Sequence, residues 1–280
     1  MVDYSAPSDT CVPPMPLVIK PRTLSLLHRM ERRPGGPRFL ITALASFDLT
    51  DPARIESEQV LWPMAAATLP KGLLLDAGLP KPRAEMLVGG RVQAPHTGEL
   101  LMEARLATLH WRMAVFGDRW WDGTHGRYVP TAPRPIGDLL LSPERAFGGP
   151  GHPENPVGLG YGAADRAGTG VAMPLPNLES PERLIQAILD TPPPAPFGPL
   201  DIMDPRRQRL AGTYDAAWLR DAAPGLAADV NPDFFLTAPE AQRLPGYLVG
   251  DEPYSLHNFT RDQPVIEGRL PAIAPRAFLG

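Results

Sequence analysis

Three stretches of this sequence carry residue types that could do chemistry. Gly158-Leu159-Gly160-Tyr161-Gly162-Ala163 satisfies GxGxxA, the dinucleotide fingerprint whose glycines let a pyrophosphate approach the backbone at a helix N-terminus. That chemistry needs a strand before the glycines and a helix after them. Here Pro153 and Pro156 precede and Gly168-Thr169-Gly170 follow, so the run reads as a glycine-rich turn. His152-Pro153-Glu154 matches the HxE of zinc deaminases, but their PCxxC partner cannot exist when Cys11 is the only cysteine. Asp118, Asp122, His125 and Asp138 lie near one another beside Arg119-Trp120-Trp121. Carboxylates and an imidazole next to aromatics would suit a glycosidase or nuclease, provided the carboxylates sit at a defined separation. The plainer reading of VFGDRWWDG is a strand end followed by a turn. His28, His96, His110, His125, His152 and His257 are scattered without paired ligand spacing, and neither HExxH nor a GxSxG elbow occurs. The residues alone therefore imply no catalytic set, no cofactor and no metal.

The elements that would position such groups are constrained by composition. With 37 prolines and 26 glycines in 280 residues, the two types make up roughly a fifth of the chain against a usual ~12%. A helical bundle is disfavoured, because proline breaks helix interiors and glycine weakens them. A 43% hydrophobic content argues equally against disorder. The formal charge of −4 offers no basic face for nucleic acid, and no apolar run approaches the ~20 residues that span a bilayer. A lone cysteine gives no disulfide framework, and MVDYSAPSDTC lacks the basic and apolar regions of a signal peptide. The expected location is the cytoplasm of the producing cell.

Residues 1–14 read as a flexible lead-in, and 15–280 as one β-rich domain with a strand-rich half (15–142) and a loop-rich half (143–280). Strands are expected at Pro16–Lys20, Phe39–Leu49, Glu85–Ala94 with a bulge at Gly89-Gly90, and Leu100–Leu109, where Leu100, Met102, Ala104 and Leu106 alternate. His110–Phe116 follows at hairpin distance. A helix is expected at Pro181–Leu189, with Ser180 as N-cap and Leu184, Ile185, Ile188 and Leu189 on one face. Shorter helical turns are expected at Asp215–Arg220 and Pro239–Arg243. The fold class is mainly β: two packed antiparallel sheets, sandwich-like, with long ordered loops and one or two short helices, or alternatively α+β. Consecutive Trp120 and Trp121 on a strand must face opposite ways.

Seven runs occur in order: LPKPRAEMLVGGRVQAP (Leu79–Pro95), VFGDRWW (Val115–Trp121), SPERAFGG (Ser142–Gly149), ENPVGLGYG (Glu154–Gly162), LPNLE (Leu175–Glu179), PFGPL (Pro196–Leu200) and AGTYDAAW (Ala211–Trp218). Together they resemble the bacterial type VI secretion effector-adaptor family, long labelled only as a domain of unknown function. Its genes commonly neighbour PAAR-like tip and VgrG spike genes. The likeness spans about Met15 to Gly250. The family's apolar first strand with its lysine-rich follow-on is weak here, FLITALASFDL being the nearest match. Longer relatives would carry further strands beyond Leu270-Pro271.

The resemblance implies a non-enzymatic chaperone that stabilises a cognate toxic effector and helps load it onto the VgrG or PAAR-like spike. It implies a shape-fixing scaffold role for the motif residues Asp118, Arg119, Trp120, Glu144, Arg145, Phe147, Gly148, Gly149, Asn155, Pro156, Gly158, Asn177, Gly198, Pro199, Gly212, Thr213, Tyr214, Asp215 and Trp218. Aromatics in loops or short strands are the candidate partner contacts: Trp121 (or Trp120), Tyr161, Phe197, Tyr247 and Phe259. Arg145 is expected to be buried, and Arg206 and Arg207 to be on the surface. The alternatives are a carbohydrate-acting hydrolase using carboxylates between Asp118 and Asp138, and a structural component of the spike.

Overall fold

The computed structural model describes residues 25–33, 36–44, 47–55, 81–123, 128–160, 173–195 and 198–271. The expected lead-in at 1–14 and the strand at Pro16–Lys20 lie outside the described residues. The fold is mainly β. Strands β1 (Ser25–Arg33) and β2 (Gly36–Leu44) pair antiparallel, as do β3 (Phe47–Asp48) and β4 (Asp51–Ile55). Then follow β5 (Gly90–Ala94), β6 (Glu99–Leu106), β7 (Leu109–Phe116), β8 (Trp121–Asp122), β9 (Val129–Pro130), β10 (Gly137–Leu141), β11 (Leu178–Glu179), β12 (Pro253–His257) and β13 (Val265–Arg269).

A five-stranded antiparallel sheet in the order β11-β7-β6-β12-β13 packs against the two-stranded sheet β10-β5. The hairpin of β6 and β7 arises from alternation that the sequence displays. Met102 and Ala104 on β6, and Trp111, Met113 and Val115 on β7, point inward, where Val92 of β5 and Leu139 and Leu141 of β10 meet them. Fully burying a Val, Leu or Met side chain of this set contributes about 1.5–3 kcal/mol. Ala107 opens the two-residue turn of this hairpin at φ 51°, the positive value that the right-handed strand twist favours.

The strand expected over Glu85–Ala94 begins only at Gly90. Residues 84–88 pair elsewhere: Ala84 N–H donates to the Gly246 carbonyl at 2.8 Å, and Met86 N–H to that of Gln242 at 2.9 Å. The Glu85 side chain fastens this joint. It accepts from the N–H groups of Thr237 and Ala238, both at 2.8 Å, from the Thr237 hydroxyl at 3.0 Å, and from the Lys81 ammonium. Burial pushes this carboxyl up, but the Ala238 N–H, Lys81 and Thr237 outweigh burial and hold it below its ordinary 4.5. A depressed carboxyl contributes stability in full above 4.5, and that contribution is lost as pH falls through the folded-state value. Denaturant titrations are therefore expected to show acid destabilisation below pH 4.5 that is smaller in Glu85→Gln. Equal acid sensitivity in both proteins would refute this assignment.

The helix expected at Pro181–Leu189 is absent, and local side-chain bonding is the reason. Ser180 Oγ donates to Glu182 rather than capping a helix. Asp190 Oδ2 accepts from the N–H groups of Gln186 and Ala187 at 2.9 and 2.8 Å, and Glu179 Oε2 accepts from that of Ile185 at 2.7 Å. These acceptors take the amides that a helix would use. Ile185 and Ile188 instead dock in a second cluster with Trp121, Phe147, Met173 and Leu175.

Two short helices form under aspartate caps. Helix α1 (Pro205–Gln208) starts at Asp204, which accepts from the Arg206 N–H at 2.9 Å, with proline in the first helical position. Helix α2 (Ala216–Asp221) starts at Asp215, which accepts from the Trp218 N–H at 2.9 Å, matching the expected turn at Asp215–Arg220. Near Pro239–Arg243 a 3-10 turn covers Glu240–Gln242. Among the described residues, no helix is long and apolar enough to cross a membrane.

Candidate functional site

Two of the motif runs meet in a loop assembly whose centre is Asn155. Its buried side-chain amide donates to the carbonyls of Pro143 at 2.8 Å and Phe147 at 3.0 Å, while the Asn155 backbone carbonyl accepts from the Gly149 and Gly158 N–H groups. One residue thereby ties SPERAFGG to ENPVGLG. Gly149 has φ +122°, a conformation open to glycine, and a β-carbon on Gly148 would overlap the Asn155 carbonyl. One on Gly158 would press on the Asn155 amide. Phe147 sits edge-on to His152, whose Nδ1 accepts from the Asn155 N–H at 3.2 Å. Gly148→Ala is expected to cost about 1–3 kcal/mol as an overpacking change, read as a lower melting temperature of the purified chain. An unchanged curve would show that the loop yields freely. Glu144 and Pro156 face solvent at the edge of this assembly.

A second knot joins the strand ends. Asn177 donates to the Phe116 carbonyl at 3.1 Å and to Asp118 Oδ1 at 3.2 Å, and accepts from Arg145 Nη1 at 2.9 Å. Arg119 is buried, paired with Glu179, and lies 3.7 Å from the centre of the Phe116 ring. Burial pushes the Glu179 carboxyl up, against the pull of Arg119 and the Ile185 N–H. Trp120 is half-buried beneath the Arg134 guanidinium, 4.6 Å from its ring.

Several sequence expectations change here. Trp121 is buried in the second cluster with Phe147 and Ile185, because β8 aims it inward, so it offers no partner contact. Phe259 is half-buried against Trp111, ring centres 6.1 Å apart. Tyr247 is exposed, at 68%, beside Val249 at 85%. Tyr161, Phe197 and His125 lie outside the described residues. Of the arginines, the expectation fails at Arg207. Arg145 is half-buried against an amide, whereas Arg207 is fully buried and donates to the carbonyls of Leu200 at 2.9 Å and Phe234 at 3.1 Å. Helix α1 turns Arg207 inward and leaves Arg206 partly outside, paired with Asp204. Two of the carboxylates weighed for hydrolysis have separate partners: Asp118 accepts from Asn177, and Asp138 accepts from Arg91 across the β10-β5 pair at 2.7 Å. Among the described residues no three His, Cys, Asp or Glu side chains are grouped so as to hold a metal.

The AGTYDAAW run folds onto Asp229. Thr213 donates twice to Asp229, Gly212 sits against the same carboxylate at φ +87°, and Tyr214 stacks edge-on to Trp218 at 4.8 Å. Gly198 is buried against Leu87 and Pro239.

What the Asn155 assembly borders is a cleft of 430 Å³, within the ~300–1,000 Å³ range of ligand sites. One wall is Pro143, Ala146 and the 154–157 turn. The other comprises Pro199, Leu200 and the Asp201–Arg206 turn that leads into α1. Sequence reasoning missed this cleft, although Asp204-Pro205 carried the cap signal of α1.

Fold and site together define a mainly β protein whose loops build a proline-walled cleft. The chain belongs to the bacterial family described as "Uncharacterized protein conserved in bacteria (DUF2169)", which matches residues 35–280. Neither a curated protein nor a solved structure matches it.

Proposed function

We propose that this protein is an adaptor that binds a toxic effector in the cytoplasm of the producing bacterium and helps load it onto the VgrG or PAAR-like spike of a type VI secretion system. The reading is supported by the seven ordered runs from Leu79 to Trp218 and their resemblance to effector adaptors. The observation that carries it is the use those runs are put to. Asn155 and Asn177 of those runs bond to carbonyls and side chains of neighbouring runs, while apolar groups face solvent at Val157 and Met203 of the cleft and, beyond the runs, at Tyr247 and Val249. Satisfied loops bearing exposed apolar groups suit protein recognition.

The test is affinity purification of the tagged full chain from its own bacterium, with co-expression beside the neighbouring genes. The expected result is co-purification of one adjacent-gene polypeptide whose soluble yield falls without the adaptor. A chain that purifies alone and leaves its neighbours' yields unchanged would sink the reading.

A further inference from the structure

We propose that the proline-walled cleft is a docking groove for an extended apolar segment of a partner protein that carries a lysine or arginine beside its apolar residues. The identity of the partner rests on the adaptor reading; the chemistry of the groove does not.

The walls decide the mode of binding. Pro143, Pro156, Pro194, Pro199, Pro205 and Pro239 line the cleft. Proline has no N–H, so these six positions offer no donor to a ladder of backbone hydrogen bonds, and recognition leans on side-chain burial. Among the lining residues Ala146, Ala195 and Leu200 are buried and apolar, while Val157, 57% exposed, and Met203, 71% exposed, present apolar groups to solvent. An exposed thioether adapts to differently shaped apolar groups.

The rim decides the charge. Glu154, Asp201 and Asp204 bring three carboxylates against the single guanidinium of Arg206. Arg206 is already occupied, donating to both oxygens of Asp204 at 2.9 and 2.7 Å and to the Glu154 backbone carbonyl at 3.1 Å. The surplus is negative, so the complementary flank on the occupant is basic. Both walls are preformed. The Asn155 amide holds one, and the Asp201 turn, which accepts from the Met203 N–H at 2.8 Å, holds the other together with buried Arg207. Docking therefore orders the occupant and little of the groove.

The test is selection of a phage-displayed random dodecapeptide library on the immobilised full chain, followed by titration of the enriched synthetic peptides. Two double variants are compared. V157S/M203S removes exposed apolar groups, and E154Q/D201N removes charge while keeping the oxygen acceptors; both should melt like the parent. Enriched peptides should place two or three large apolar residues beside Lys or Arg. Their Kd should rise about tenfold or more on V157S/M203S and several-fold on E154Q/D201N. Peptides without a basic residue, peptides that bind both variants as tightly as the parent, or no enrichment at all would overturn the proposal. So would a dimer of the chain that is lost in V157S/M203S, since the groove would then serve a second copy. If the adjacent-gene polypeptide is captured equally by parent and V157S/M203S, the groove assignment falls and the adaptor reading stands. If the peptides behave as expected while the chain captures no neighbour, the adaptor reading falls alone.

Discussion

Arg119→Met is expected to destabilise the protein by about 3–5 kcal/mol at neutral pH, the usual consequence of stranding one charge of a buried pair. Glu179 would be left in the interior with only the Ile185 N–H to stabilise its charge. Burial already pushes its carboxyl up with Arg119 present, and removing Arg119 raises it further. A raised carboxyl gives its stability in full below the unfolded-state value of 4.5 and loses it as pH climbs through the folded-state value. The variant should therefore regain part of its deficit on acidification, and Arg119→Met with Glu179→Gln should lose that recovery. Denaturant midpoints across pH measure both. A deficit of the same size at all pH values would show that packing of Arg119 on Phe116, rather than charge, is what the substitution removes.

Arg207→Ala is expected to cost on the order of 4 kcal/mol, from stranded buried acceptors and an emptied core volume. The Leu200 and Phe234 carbonyls would lose the guanidinium that bridges them, and the Phe234 ring would lose the cation 5.5 Å from its centre. At roughly 2–4 °C per kcal/mol for a domain of 150–250 residues, the melting temperature should fall on the order of 10 °C. Arg206→Ala, next door and partly exposed, should stay within about 1 kcal/mol. Equal losses for the two arginines would refute the burial assigned to Arg207.

These two arginines show where the sequence stops being legible. Asp204-Pro205 announces a helix start, but in a single turn nothing in the residue types says which of two adjacent arginines faces inward. That is decided by the carbonyls of Leu200 and Phe234, which a linear reading cannot locate. The β6–β7 hairpin was legible because period-2 alternation is a direct record of burial. The positive φ at Gly149 falls within a pair of successive glycines, the residue type that admits that region without a β-carbon clash. Residues 181–189 misled because a helical apolar period is shared by a chain of turns once Glu179 and Asp190 take the amides. The Asn155 and Asn177 knots lay within the quoted runs, yet their partners are found only in three dimensions. The cleft depends on three separate runs meeting, and left no local signal.

The order of strands in the central sheet also sets a schedule for synthesis. Strand β6 pairs with β7 across a two-residue turn, but its other edge waits for β12, roughly 150 residues later in the chain. At about 5–20 residues per second, a ribosome needs on the order of ten seconds to deliver that strand. Through that interval the hairpin is out in the open with one unpaired edge, and Met102 and Trp111 lack part of their final cover. The β6 edge is thus the part of the central sheet that stays open longest while the polypeptide is being made.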